Sequence, residues 1–447
     1  MLGYAYLCIE MKSKTLAKNK VNIITLGCSK NLVDSEVLSG QLLANDIAVV
    51  HENKKLDHTI SVVNTCGFID KAKEESINTI LDQLELKRRG KLEKVYVTGC
   101  LSERYRHELE QEMPEVDAWF GTMELPLLLK QLEADYKKEL IGERLLSTPQ
   151  HYAYLKISEG CNRTCSFCAI PLMRGGHVSK TMDEIVAEAE SLVKKGVKEI
   201  MLIAQELTYY GLDIYKYRAL PELLHRLADI KGLAWIRLHY AYPSKFPLEV
   251  LDVMRERSNI CKYLDMPLQH ASNAMLKAMK RNITREEMSE LIDTIRQKVP
   301  GICLRTTLIA GFPGETEDDV DELIAFLEKH QFDRVGIFNY SHEENTTAYL
   351  LEDNVPAEVK SARAQRIMEV QQEISYQKNQ EKVGKIVAVL VDKKEAGRYL
   401  GRTEWDSVEV DNEVIIQANK KLTIGDFVQV KITKAFDYDL EGEYIEV

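Results

Sequence analysis

The chain has 447 residues and carries 70 Asp and Glu against 59 Lys and Arg, a formal net charge of −11. That length allows two to four domains with their own cores. No apolar run reaches the ~18 residues of a membrane span, and the acidic total argues against a surface built to grip phosphate backbones.

The opening stretch MLGYAYLCIEMKSKTLAKNK lacks a basic start and has only a short apolar run, so it does not read as a signal peptide. Met11 is an alternative start, with the first ten residues as an extension. Nine cysteines, an odd number, read as metal ligands and free thiols rather than a disulfide framework, which implies a cytoplasmic protein with no membrane contact.

From about Val21 to Gly142, three β-rich runs, VNIITLGC, HTISVVNTC and KVYVTGC, end in Cys28, Cys66 and Cys100. Each is followed by a helical pattern. Alternating strand and helix predicts a parallel sheet with crossover helices. Strands that point one way share a carboxyl edge, where ligands bind, so the three cysteines should converge there. At strand-to-helix junctions the helix dipole favours a thiolate. Three buried core cysteines would be a plainer explanation, but three at equivalent junctions point to a 4Fe–4S cluster held by three protein ligands, with one iron open.

From about Glu143 to Asn379 strand-like runs recur with helices between them: YAYLKISEGC, EIMLIAQE, AWIRLHYAY, YLDMPLQH, CLRTTLIAG and RVGIFNYS. Helix ends are expected at Gly196 and Gly301. The pattern predicts a partial or full (β/α) barrel with its chemistry at the strand carboxyl ends. Polar residues gather there: Glu159, Gln205, Glu206, His239, Gln269, His270, Thr307, Asn339 and Tyr340. GFPGE, residues 311–315, marks a tight turn but not a P-loop. The first strand-like run leads into GCNRTCSFC, with Cys161, Cys165 and Cys168 inside eight residues. Three thiolates so spaced can hold three irons of a 4Fe–4S cluster. A structural zinc would want a fourth ligand nearby, and the next candidate, His177, is nine residues on.

A charged helix with a narrow stripe of Ile367, Val370 and Ile374 then leads to a third region. There KIVAVLVDKK, RYLGRTE, EVIIQAN, FVQVKITKAF and EGEYIEV predict a small five-stranded barrel. From Lys385 onward nine Lys and Arg stand against thirteen Asp and Glu, a poor footprint for nucleic acid. Its acidic stretch WDSVEVDNE, residues 405–413, reads either as a solvated loop or as a docking surface for a basic protein.

The Cys-x-x-x-Cys-x-x-Cys spacing with Phe167 before the last cysteine resembles the signature of the radical S-adenosylmethionine (SAM) enzymes. The two triads and the terminal barrel together resemble their methylthiotransferase branch. TLGCSKNLVDSE (residues 25–36), PLMRG (171–175) and DSVEVDNEV (406–414) look like the RimO form rather than the MiaB-like form, which modifies an adenosine in tRNA.

The resemblance implies an α/β chain in three domains. These are a parallel-sheet α/β domain over 21–142, a radical SAM partial (β/α) barrel of TIM-like kind over 143–379, and an OB-like TRAM β-barrel over 380–447. It implies a transferase that adds a methylthio group to the β-carbon of an aspartate in the twelfth protein of the small ribosomal subunit. Two 4Fe–4S clusters would be used, with SAM as both methyl donor and radical source. Cys161, Cys165 and Cys168 would hold the cluster that binds and cleaves SAM, and Cys28, Cys66 and Cys100 the auxiliary cluster. Phe167, Gln205 and Arg237 are candidate SAM contacts, though core packing or ordinary salt bridges explain each as well. An electron donor is implied, and nucleic acid is at most a secondary contact. Cys8, Cys261 and Cys303 read as incidental thiols. The acidic charge fits a basic protein substrate.

Overall fold

The computed structural model describes residues 20–53, 57–140 and 143–446. Cys8 and the choice between Met1 and Met11 lie outside the described residues. The chain divides into two compact units, one ending at Leu140 and one beginning at residue 141.

The first unit runs β1 (Lys20–Thr25), α1 (Ser29–Leu43), β2 (Ala48–His51), β3 (Ile60–Thr65), α2 (Asp70–Arg88), β4 (Lys94–Gly99), α3 (Cys100–Glu112), β5 (Ala118–Trp119) and α4 (Leu125–Gln131). The strand order is β2-β1-β3-β4-β5 and every pair is parallel. The three cysteine-terminated runs are therefore the three central strands. Their side chains alternate between two cores. Val21, Ile23, Val62 and Tyr96 pack with Leu38, Leu42 and Leu129 on one face. Val63, Val95 and Val97 pack with Ile80, Leu84 and Leu101 on the other. Burial on both faces is why these runs are continuously apolar. The edge strands β2 and β5 were not expected from sequence. They have four and two residues, too short to show a period.

The second unit opens with β6 (Tyr152–Lys156), β7 (Ser158–Glu159), α5 (Ile170–Arg174), β8 (Val178–Ser179), α6 (Met182–Lys194), β9 (Glu199–Ile203), α7 (Leu220–Ala228), β10 (Trp235–Leu238), α8 (Glu249–Glu256), β11 (Ile260–Asp265), α9 (Asn273–Ala278), α10 (Arg285–Lys298), β12 (Cys303–Ala310), α11 (Glu317–His330), β13 (Arg334–Asn339) and α12 (Ala357–Gln380). Six strands form one parallel sheet in the order β13-β12-β11-β10-β9-β6. β6 and β13 stand at opposite edges of the sheet, so the barrel is partial. Helix starts follow from sequence: Thr181, Thr284 and Thr316 each close a capping box with the acidic residue three positions on. Gly196, at φ +101°, ends α6 just past its C-cap Lys195. Ile367 and Ile374 of α12 are buried in the main core and Val370 packs against it.

The terminal strands β14 (Ile386–Glu395), β15 (Arg398–Arg402), β16 (Val414–Gln417), β17 (Phe427–Ala435) and β18 (Leu440–Ile445) close a barrel in the order β14-β15-β16-β18-β17. The acidic stretch between β15 and β16 is not simply a solvated loop, which corrects that expectation, although Glu409 and Val410 at its middle are exposed. Two of its carboxylates, Asp406 and Asp411, turn inward onto side chains of the six-stranded sheet. Arg334 binds Asp406 at 2.6 Å. Asp411 accepts from Tyr263 at 2.7 Å and lies 3.3 Å from Arg305, and Ser407 Oγ meets His239 Nε2 at 3.0 Å. The acidic pattern is the complement of buried arginines, a partner that a local charge count cannot reveal.

Candidate functional site

Cys161, Cys165 and Cys168 lie on the loop between β7 and β8. These two short strands pair antiparallel, Ser158 with Ser179 and Glu159 with Val178, and so clasp the base of the loop at the carboxyl edge of the six-stranded sheet. Gly160 makes the entry turn at φ +73°, and a Cβ there would strike the Gly176 carbonyl. The Cys161 amide donates to the Gly175 carbonyl at 3.1 Å. The middle of the loop docks on the end of α9: Ser166 donates from its amide to the Met279 carbonyl at 3.0 Å and from its hydroxyl to the Ala278 carbonyl at 2.8 Å.

Two arginines flank the thiols, and sequence reasoning missed both. Arg163 is sandwiched between the Tyr209 and Tyr242 rings, 4.0 and 3.8 Å from their centroids, and pairs with Glu206 at 2.9 Å. Its place between two of the cysteines was a usable signal. Arg281, far away in sequence, donates from Nη1 to Cys165 Sγ at 3.1 Å and stacks 4.2 Å from the Tyr242 ring. Burial pushes the Cys161 thiol up to about 11 and the Cys168 thiol up to about 12. Burial thus favours the protonated thiols, and binding a metal core would displace those protons.

The candidate SAM contacts fall in three different settings. Gln205 follows β9 and donates from Nε2 to Glu159. Glu159 also takes Lys156 at 2.6 Å and Arg174 at 3.2 Å. Burial would raise this carboxyl, but Lys156 and Arg174 outweigh it and hold it at about 2. Gln205 Oε1 is buried without a hydrogen-bond partner, an acceptor that a ligand donor would satisfy. Phe167 is half-buried against Met275, Met279, Phe312 and Tyr340. Arg237 is not brought to this loop. It is fully buried, pairs with Glu199 at 2.8 Å and donates to the carbonyls of Thr403 and Glu404. A strand position alone did not say to which end of the sheet its side chain was committed.

In the first unit, Cys28 caps α1, Cys66 directly follows β3 and Cys100 opens α3. The register sets Asn64 beside Thr25 and Thr65 beside Gly99, so the three cysteines leave adjacent strands at one edge. Close packing joins the loops. A Cβ at Gly27, itself at φ +90°, would stand 2.8 Å from Cys66 Sγ, and one at Gly67 would stand 3.0 Å from the Cys100 backbone. Asn31 donates to the carbonyls of Leu26 and Thr65, and Cys100 Sγ lies 3.8 Å from its Oδ1.

Among the described residues no group of three or more His, Cys, Asp or Glu side chains closes on a single metal ion. A four-iron core spreads its thiolates further apart than one ion does. All-sulfur donor sets, a glycine cradle at each triad and an orphaned acceptor at Gln205 suit such a core better than a lone zinc. Cys261 and Cys303 are buried where the sheet meets the terminal barrel, in a cluster with Trp235, Tyr263 and Leu390.

Residues 155–327 match the Radical SAM superfamily, 20–121 the uncharacterized protein family UPF0004 and 383–445 the TRAM domain. Among solved structures, the radical SAM methyltransferase TsrM of Kitasatospora setae aligns with a TM-score of 0.54 at 15% identity, over 72% of this chain and 73% of that one. The cobalamin-dependent SAM radical enzyme OxsB aligns at 0.54 and 13%, over 86% and 64%. These are likenesses of fold. The ribosomal protein uS12 methylthiotransferase RimO of Cytophaga hutchinsonii is 58% identical over 98% of this chain and all of its own length. That of Flavobacterium psychrophilum is 58% identical over 97% of this chain and all of its own. With this identity along nearly its whole length, the chain belongs to the RimO family of radical SAM methylthiotransferases.

Proposed function

We propose that this chain is a cytoplasmic enzyme that adds a methylthio group to the β-carbon of an aspartate in ribosomal protein uS12, working as three domains over 21–142, 143–379 and 380–447. The observation that carries the reading is the thiol loop of Cys161, Cys165 and Cys168 at the carboxyl edge of a parallel sheet, in a chain 58% identical to relatives named for that activity. Cys161, Cys165 and Cys168 would hold a 4Fe–4S cluster, and Cys28, Cys66 and Cys100 a second one. Such a cluster with SAM at its open iron supplies one-electron cleavage of SAM, which suits a carbon that has no readily removed proton.

The chain's own residues set the conditions for that chemistry. The β7–β8 clasp and the Ser166 contacts hold the thiol loop fixed. Tyr209, Arg163 and Tyr242 form a stacked wall beside it. Gln205 offers its unpaired Oε1, while its amide nitrogen is held by an ionised Glu159. No comparable commitment of Gln205 Oε1 to the protein interior competes with a ligand. The formal charge of −11 favours encounter with a basic ribosomal protein.

The test is mass spectrometry after anaerobic reconstitution with SAM and a reductant, offering uS12 and unmodified tRNA separately. A methylthio increment on an aspartate of uS12, lost in Cys28→Ala and in Cys161→Ala, is expected. A methylthio adenosine in tRNA with uS12 untouched would overturn the substrate assignment.

A further inference from the structure

Arg281 is 3% exposed, yet among the described residues no carboxylate pairs with its guanidinium. Nη2 donates to the Pro267 carbonyl and Nη1 to Cys165 Sγ at 3.1 Å, and the Tyr242 ring covers its face. Arg163, on the same wall, is neutralised by Glu206. Tyr242 cannot replace Arg281 as donor to the sulfur. Its hydroxyl lies 3.7 Å from Cys165 Sγ, but its single hydrogen goes to the Arg281 carbonyl at 2.7 Å. The backbone is shaped to present this side chain: Lys280 and Asn282, on either side, both sit in the left-handed region at φ +54° and +53°, where non-glycine residues pay a conformational cost. The Arg281 amide is anchored to the Leu276 carbonyl at 2.9 Å, on the same α9 segment that receives the Ser166 hydrogen bonds.

A buried, unmatched cation is strongly unfavourable unless something anionic stands against it. A four-iron core on three thiolates is such an anion, and it becomes more negative on reduction. We propose that Arg281 is a positioning residue for the cluster of the Cys161 triad: it donates a charge-assisted hydrogen bond to the Cys165 sulfur and raises the cluster's reduction potential. The inference rests on the cluster reading of that triad. Hydrogen bonds and positive charge at a ligand sulfur favour the reduced state. The step affected is the entry of one electron from an external low-potential donor into the core; no bond is made or broken in it.

The experiment is a dithionite redox titration followed by electron paramagnetic resonance. It uses the full-length, reconstituted chain carrying Cys28→Ala, Cys66→Ala and Cys100→Ala, so that one cluster gives the signal. At a fixed poise, Arg281→Met should lower the ratio of reduced to oxidised cluster about tenfold, equivalent to about 59 mV for one electron. Arg281→Gln, which keeps an N–H but loses the charge, should fall part of the way, and Arg281→Lys should recover toward the parent. A purely structural role would reduce the amount of cluster loaded without moving the midpoint of what remains. If the neutral variants keep the parent midpoint, the proposal is overturned; should Arg281→Met load nothing, the Arg281→Gln midpoint decides. A parent that binds no iron overturns the cluster reading itself.

Discussion

Cys161, Cys165 and Cys168 lie within eight residues on one clasped loop, whereas Cys28, Cys66 and Cys100 come together only because β1, β3 and β4 are neighbours in a parallel sheet. The first arrangement is written in local spacing. The second is written in strand order and register, since Thr65 must face Gly99 and Asn64 must face Thr25. A loop site can be damaged locally without unfolding its unit. A sheet-edge site shares the fate of the whole sheet, because its ligands are fixed by non-local pairing.

The sharpest way to break this comparison is to remove one thiol from each triad. Cys161→Ala should abolish SAM cleavage altogether, measured as 5′-deoxyadenosine release. Cys66→Ala should leave that release in place while the methylthio product disappears. Equal loss of both readouts in both variants would mean that the triads do not have separate tasks. A gentler cut uses the glycine cradles. Gly160→Ala places a methyl group against the Gly176 carbonyl at a left-handed position, and Gly27→Ala does the same against Cys66. Strain of about 1–3 kcal/mol is expected at each, with roughly 10–100-fold weaker metal retention at the altered triad and no change at the other. Iron analysis on single-triad backgrounds reads the difference.

Legibility in the sequence followed the same division. The GCNRTCSFC loop, the six strands of the central sheet and the five terminal strands were all visible, because each has a strong local signature. Convergence of the first triad was also legible, but only through the topological rule that parallel strands share a carboxyl edge. What stayed hidden was long-range pairing of charges. Arg281 meets Cys165 across more than a hundred residues. Arg237, expected at the SAM site, is taken up by Glu199 and the 403–404 carbonyls. Asp406 and Asp411, read as surface acids, answer Arg334 and Arg305 in the interior. No spacing rule encodes such pairs.

That hidden layer gives a prediction about how the terminal barrel is held to the six-stranded sheet. Asp406 is buried and takes both Nε and Nη2 of Arg334. Asp406→Ala leaves the guanidinium buried without its partner and should cost about 3–5 kcal/mol, seen as a lower urea midpoint for the second unit. Asp437→Ala, at an exposed carboxylate that accepts from Gln372, should stay within about 0.5 kcal/mol. Equal effects would return the acidic stretch to the surface, where the sequence alone had put it.

The last expected effect is a pH profile of metal retention at the Cys161, Cys165 and Cys168 triad. Burial raises Cys161 to about 11 and Cys168 to about 12 in the metal-free protein, so both carry protons across the neutral range. Binding of a metal core must displace those protons. Falling pH therefore weakens retention and rising pH strengthens it, by about tenfold per pH unit for each proton released. The rise should continue past the ~8.5 of a free thiol, because the folded-state values lie well above it. Competition with a chelator between pH 6 and 9, on a chain that keeps only Cys161, Cys165 and Cys168, measures the slope. A flat profile would mean that Cys161 and Cys168 release no protons when metal binds, against the effect of their burial.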